Sequence, residues 1–124
     1  MAYIIVFIGS GIGGMLRHGV NVASAHLFGT GTSFGTIFAN AVGSFLTGLL
    51  VGFFALKGHG GENLRLFLAT GVLGGFTTFS TFSLEAVTLY RRGEIGAAIA
   101  YASGSVMVAV GALMLPQYLI RRLV

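Results

Sequence analysis

Gly74-Gly75-Phe76-Thr77-Thr78-Phe79-Ser80-Thr81-Phe82-Ser83 places two glycines, five hydroxyl residues and three phenylalanines inside a segment otherwise apolar enough to cross a membrane. Hydrocarbon offers no water to satisfy a loosened backbone or a cluster of hydroxyls, so this stretch is expected to face protein or a polar pathway rather than lipid.

The rest of the chain supports a membrane setting. Of its 124 residues 55% are hydrophobic and 8% charged, against roughly 25% charged in soluble domains, and the mean hydropathy is +0.92. A spanning helix needs about 20 apolar residues, so the chain holds at most four spans. These are expected at about 3–26, 34–56, 66–90 and 95–114, forming one transmembrane domain over 1–124. Gly29-Thr30-Gly31-Thr32-Ser33 reads as a turn, Lys57 to Asn63 as a polar loop, and Pro116 with Arg121-Arg122 as the exit of the last span. No basic segment or small-residue cleavage site precedes Arg17, so the first apolar run reads as a retained span, not a signal peptide. The net charge of +4 does not indicate nucleic acid, because the basic residues sit singly or in pairs at the ends of apolar runs. There is no cysteine, hence neither a disulfide nor a thiolate metal site.

In an up-down bundle the side holding both termini carries Lys57, Arg65, Arg121 and Arg122, and the other carries Arg91 and Arg92 with Arg17 near it. Orientation follows the Lys/Arg excess. A balance this even is compatible with insertion both ways and antiparallel self-pairing. Small residues recur at four-residue spacing: Gly9 with Gly13, Gly31 with Gly35, Ala39 with Gly43, Ser44 with Gly48 and Gly52, Gly71 with Gly75. That pattern predicts close helix packing. Helices so tightly packed leave little room for a pore within one subunit, which favours a homo-oligomer.

Several polar residues fall within the spans. Arg17 lies roughly 22 Å along a helix starting at Ala2; it either snorkels to the far interface or lines a vestibule that gathers anions. Asn40 serves as interhelical glue or as an amide donor to a passing anion. Glu85, the only acid within a span, is either a proton carrier or a wet structural carboxylate. Tyr101, Ser103 and Ser105 form a polar patch on the fourth span. Gly74, about 14 Å along the helix from Arg65, falls near the middle of a core roughly 30 Å thick. A helix break is therefore expected there. Its freed carbonyls would either hold a small cation or belong to a packing kink. Phe79 and Phe82 share a helical stripe, and their positive ring edges suit an anion without offering it a full charge.

Together these residues resemble the small bacterial fluoride channels, Fluc or CrcB, over essentially the whole chain. The resemblance is carried by Gly74-Gly75 to Phe82, by Gly35-Thr36, Asn40, Gly43 and Gly48, and by Gly13-Gly14-Met15-Leu16-Arg17. It implies an all-α membrane protein with four transmembrane helices per subunit, the third broken near the bilayer centre, assembled as an antiparallel dual-topology homodimer in the cell inner membrane. It implies passive fluoride efflux along Asn40, Phe79, Phe82, Ser80, Thr81, Thr36, Tyr101 and Glu85, with Arg17 at the vestibule. It also implies a structural Na+ held by the backbone carbonyls of Gly74 and Thr77. His18 and Val72 stand where the family usually has aromatic residues. The competing readings are a small proton-coupled exporter working through Glu85 and a noncatalytic assembly subunit. No His, Asp and Ser set or metal-ligand spacing indicates an enzyme.

Overall fold

The computed structural model describes residues 1–29, 34–57 and 61–123, and these contain helices and no strand. In chain order they are α1 (Ala2–Phe28), α2 (Phe34–Lys57), α3 (Glu62–Arg65), a π-helix (Leu66–Leu73), α4 (Gly74–Phe76), α5 (Ser80–Arg91) and α6 (Ile95–Leu123). Among the described residues four stretches are long and apolar enough to span a bilayer: Ala2–Phe28, Gly35–Phe54, Glu62–Arg91 and Ile95–Arg122. At 1.5 Å per residue the 27 residues of α1 reach about 40 Å. This is a multi-pass membrane protein. The expected turn at 30–33, with Gly31, and residues 58–60 of the polar loop lie outside the described residues.

Helices pack mainly as α1 against the π-helix and α4, α2 against α6, and α5 against α6. Glycine makes the first two contacts possible. A Cβ on Gly13 would sit 2.0 Å from the Val72 carbonyl oxygen, one on Gly9 2.9 Å from the Gly71 Cα, and one on Gly75 2.4 Å from the Ser10 carbonyl oxygen. Each of these neighbours is backbone, so α1 and the third span touch main chain to main chain. Across the bundle, a Cβ on Gly48 would meet the Leu113 carbonyl oxygen at 2.2 Å and the Pro116 ring at 2.7 Å.

That last contact explains a departure from expectation. Pro116 does not end the fourth helix near Met114; α6 continues through it to Leu123. Proline removes one backbone bond and crowds the preceding turn, but its ring is buried against the notch left by Gly48. Packing on α2 holds the helix where local preference would end it.

The third span also differs in detail. The Gly74 N–H bonds to the Ala69 carbonyl, five residues back, the bond that defines a π-helix. Gly74 itself is helical (φ −62°, ψ −39°), and the helical dihedrals are lost at Thr77 (φ −86°, ψ 159°), three residues later than glycine content suggested. Helix resumes at Ser80. Between α5 and α6, Gly93 adopts φ 82°, with Glu94 N–H bonded to the Leu89 carbonyl and Gly93 N–H to the Tyr90 carbonyl. This Schellman turn needs a residue at positive φ, which glycine supplies without strain. It folds α6 back along α5 and so sets Tyr101 beside Glu85.

Only 6 to 17% of the four apolar windows is buried within the chain. Phe7, Met15, Phe38, Phe79, Met107 and Met114 are among the many large apolar side chains left exposed. In water such a surface would aggregate; here it is the surface available to lipid or to another subunit.

Candidate functional site

The interruption at Thr77 to Phe79 organises the site. Leaving the helix turns Thr78 toward α2, where Asn40 meets it with both ends of its amide. Asn40 Nδ2 donates to the Thr78 carbonyl at 2.9 Å, and Thr78 N–H donates to Asn40 Oδ1 at 2.8 Å. A backbone N–H can only donate and a carbonyl can only accept, so the pair fixes the amide orientation. The Thr78 hydroxyl accepts from Thr81 N–H at 3.1 Å, as a capping hydroxyl does at a helix start. Gly43, one turn past Asn40, leaves room for Thr77: a Cβ there would lie 2.2 Å from Thr77 Cγ2.

Helical spacing builds the remainder. Thr36, Asn40 and Ser44 lie on one face of α2 at four-residue intervals, as do Tyr101 and Ser105 on α6. The Thr36 hydroxyl donates to Glu85 Oε1, and the Tyr101 hydroxyl donates to Glu85 Oε2 at 3.1 Å. Both carboxylate oxygens thus accept hydroxyl protons, joining α2, α5 and α6. Phe82 stacks on Tyr101 with ring centres 5.5 Å apart and meets Phe79 at 5.6 Å. The rings form a row that runs from the half-buried Phe82 to Phe79, which is 78% exposed.

Beside this row lies a cavity of about 250 Å³, lined among others by Asn40, Ser44, Thr78, Phe79, Phe82 and Ser105. Its walls mix hydroxyl and amide groups with aromatic rings, and among the described residues no charged side chain lines it. Such a lining can replace the hydration of a small ion without binding it as tightly as a fixed charge would.

The sequence-derived residues therefore converge. Asn40 and Thr78 join α2 to the interruption; Thr36, Glu85, Tyr101, Phe82 and Phe79 form one connected chain. Ser80 is exposed and lies 3.5 Å, oxygen to oxygen, from the Thr78 hydroxyl. Thr81 receives the Arg17 side chain, whose Nη1 lies 3.4 Å from its Oγ1, while Arg17 Nε donates to the Gly75 carbonyl at 3.2 Å. Ser44 and Ser105 belong to the cavity although the sequence offered them only as packing and patch residues. Ser105 Oγ is buried with no hydrogen-bond partner among the described residues. Its four-residue spacing from Tyr101 was the available signal. Among the described residues no group of His, Cys, Asp and Glu could hold a metal ion.

Residues 4–116 match the family model of the CrcB-like proteins, described as camphor resistance (CrcB). The chain belongs to the CrcB-like family. It is 54% identical over 124 residues to the fluoride-specific ion channel FluC of Granulibacter bethesdensis, covering 100% of this chain and 98% of that one. It is 48% identical over 121 residues to the protein of the same name from Rhodopseudomonas palustris, 98% of each chain being covered. It is 50% identical over 123 residues to the fluoride-specific ion channel FluC 2 of Nitrobacter hamburgensis, covering 99% of each. These relatives are named as ion channels, a class distinct from enzymes, and they span the same length as this CrcB-like chain.

Proposed function

We propose that this protein is a fluoride-selective channel through which fluoride leaves the cell passively across the inner membrane, lowering its toxicity in the cytoplasm. The observation that carries this reading is the cavity beside Phe79 and Phe82, lined by the Asn40 amide and by hydroxyls and, among the described residues, by no charged side chain, in a chain whose relatives are named fluoride-specific channels. Fluoride is small and strongly hydrated, so its passage needs donors that stand in for water. The amide, the hydroxyls and the aromatic edges supply these in turn. A proton-coupled exporter using Glu85 has no counterpart among these relatives, which are named fluoride-specific ion channels, and Thr36 and Tyr101 tie that carboxylate into the contacts between α2, α5 and α6.

Purified protein in liposomes should release fluoride down its gradient with the proton gradient collapsed by a protonophore and with potassium moving through valinomycin as counter-charge. Chloride-loaded vesicles should stay full. Flux that followed the pH gradient instead would overturn the channel in favour of exchange.

The channel is proposed to work as an antiparallel homodimer inserted in both orientations. Support comes from the near-even Lys/Arg balance, from the exposed Phe79, and from the small share of each span buried within one chain. We further propose that carbonyls beside the interruption hold a structural Na+ at the axis of that dimer. Thr78 N–H, the donor an unbroken helix would give the Gly74 carbonyl, is held by Asn40, and no backbone N–H bonds the Thr77 carbonyl among the described residues. Gly74 is exposed, and a Cβ there would make only ordinary contact, so this stretch of backbone lies at the surface of the subunit. Gly74 and Thr77 of two copies would together offer four oxygens, and the cation would neutralise carbonyl dipoles left without donors in a low-dielectric region. Dimer stability in detergent should then rise with sodium, by about 2.7 kcal/mol at a hundredfold excess over the dissociation constant. Indifference to replacing sodium by N-methylglucamine would remove the ion from the account.

A further inference from the structure

We infer that Arg17 is a positioning residue that clamps the two halves of the third span across its interruption. Within that fluoride-channel reading, it thereby fixes where Phe79 and Phe82 stand. The inference rests on a register of four residues. Gly9, Gly13 and Arg17 lie on one face of α1, and Gly71 and Gly75 lie on the opposing face of the third span. The glycines at 9 and 13 bring α1 into backbone contact with the π-helix and with α4, and Arg17, the next residue on that face, arrives at the point where helical bonding fails.

Two acceptors meet it there, one on each side of the break. The Gly75 carbonyl would bond Phe79 N–H in a continuous helix; Phe79 N–H makes no such bond, and Arg17 Nε reaches the carbonyl at 3.2 Å. Nη1 of the same guanidinium lies 3.4 Å from the Thr81 hydroxyl in the first turn of α5. The planar fork of arginine spans two acceptors in fixed geometry, whereas the single ammonium of lysine does not. The charge faces a carbonyl and a hydroxyl, and no carboxylate contacts it among the described residues. Asn40 holds Thr78 within the break, and Arg17 sets the offset between its two sides.

Fluoride efflux from liposomes, measured against fluoride concentration, separates this role from that of an anion-gathering charge. Arg17→Lys keeps the charge and loses the fork. It should lower the saturating rate at least tenfold while the half-saturating concentration stays within twofold, and Arg17→Gln should behave alike. Wild-type rates in Arg17→Lys would overturn the clamp. So would a half-saturating concentration that rises in Arg17→Gln alone at an unchanged saturating rate, the signature of an electrostatic vestibule. Should the Arg17 variants not fold, Thr81→Val removes one arm only, and amides of residues 80–82 should then exchange several-fold faster relative to those of α6. Unchanged exchange there would equally overturn the clamp. A wild-type protein that conducts no fluoride would sink the functional reading and leave the exchange measurement to judge Arg17 alone.

Discussion

Asn40→Asp should reduce fluoride efflux by roughly tenfold to a hundredfold, and more than Asn40→Ala does. The side chains are nearly the same size, so the effect is one of hydrogen-bond polarity. Ionised aspartate still accepts from Thr78 N–H, but it sets a second carboxylate oxygen against the Thr78 carbonyl, where Asn40 Nδ2 now donates. Losing the donor leaves an acceptor unsatisfied at a cost of about 1–3 kcal/mol, and each 1.4 kcal/mol is about tenfold in rate if it falls on the barrier. The new charge adds repulsion of an anion within the cavity that Asn40 lines. Alanine removes both hydrogen bonds without adding a charge. Efflux from liposomes, with size-exclusion profiles to show intact protein, decides the matter. Equal rates in wild type and Asn40→Asp would reduce the residue to helix packing.

The second large effect is structural. Gly13→Leu should destabilise the protein by about 3 kcal/mol or more, above the usual range for overpacking. A Cβ there already meets the Val72 carbonyl oxygen at 2.0 Å and the Phe76 amide nitrogen at 2.8 Å. These are main-chain atoms that no rotamer change can move. Gly11→Ala is the contrast, because among the described residues nothing beyond its own helical turn lies within 4 Å of its Cβ; alanine there should instead gain up to about 1 kcal/mol of helix propensity. Thermal unfolding in detergent distinguishes them, and equal midpoints would show that the α1 contact tolerates separation.

The unequal fates of these two glycines indicate what the sequence could disclose. Four spans were legible because length and hydropathy are summed over some twenty residues and survive local error. The chemistry of Asn40, Phe79, Phe82 and Glu85 was legible too, since a polar group inside an apolar run needs a partner. The partners themselves were not. Thr36 and Glu85 are separated by 49 positions, Arg17 and Gly75 by 58, and no periodicity encodes such pairings. The interruption was expected at Gly74 because glycine is permissive. It falls at Thr77, where the bonds between Asn40 and Thr78 offer the backbone a better alternative to helix. Pro116 misled for the opposite reason: local chemistry favoured a stop, and the notch at Gly48 outweighed it. Gly13 was marked out by its four-residue spacing from Gly9 and does face the Val72 and Phe76 backbone, whereas Gly11, outside that spacing, does not.

The π-helix at Leu66–Leu73 makes the usual helical map of the third span unreliable. With bonds reaching five residues back, each residue turns the chain through a smaller angle than in an α-helix, so a wheel drawn at 3.6 residues per turn assigns faces that drift as it is read from Arg65 toward Gly74. The membrane-entry end of this span and the end that carries the interruption are therefore related by a different rotation from the one an α-helix would give. A side chain near Arg65 could be kept toward lipid while Gly71 and Gly75 turn to meet α1. Probes attached one by one along Leu66 to Leu73 would trace this slower rotation, and any grafting of the segment onto an ideal helix would have to remove a residue to keep Gly75 aimed at Ser10.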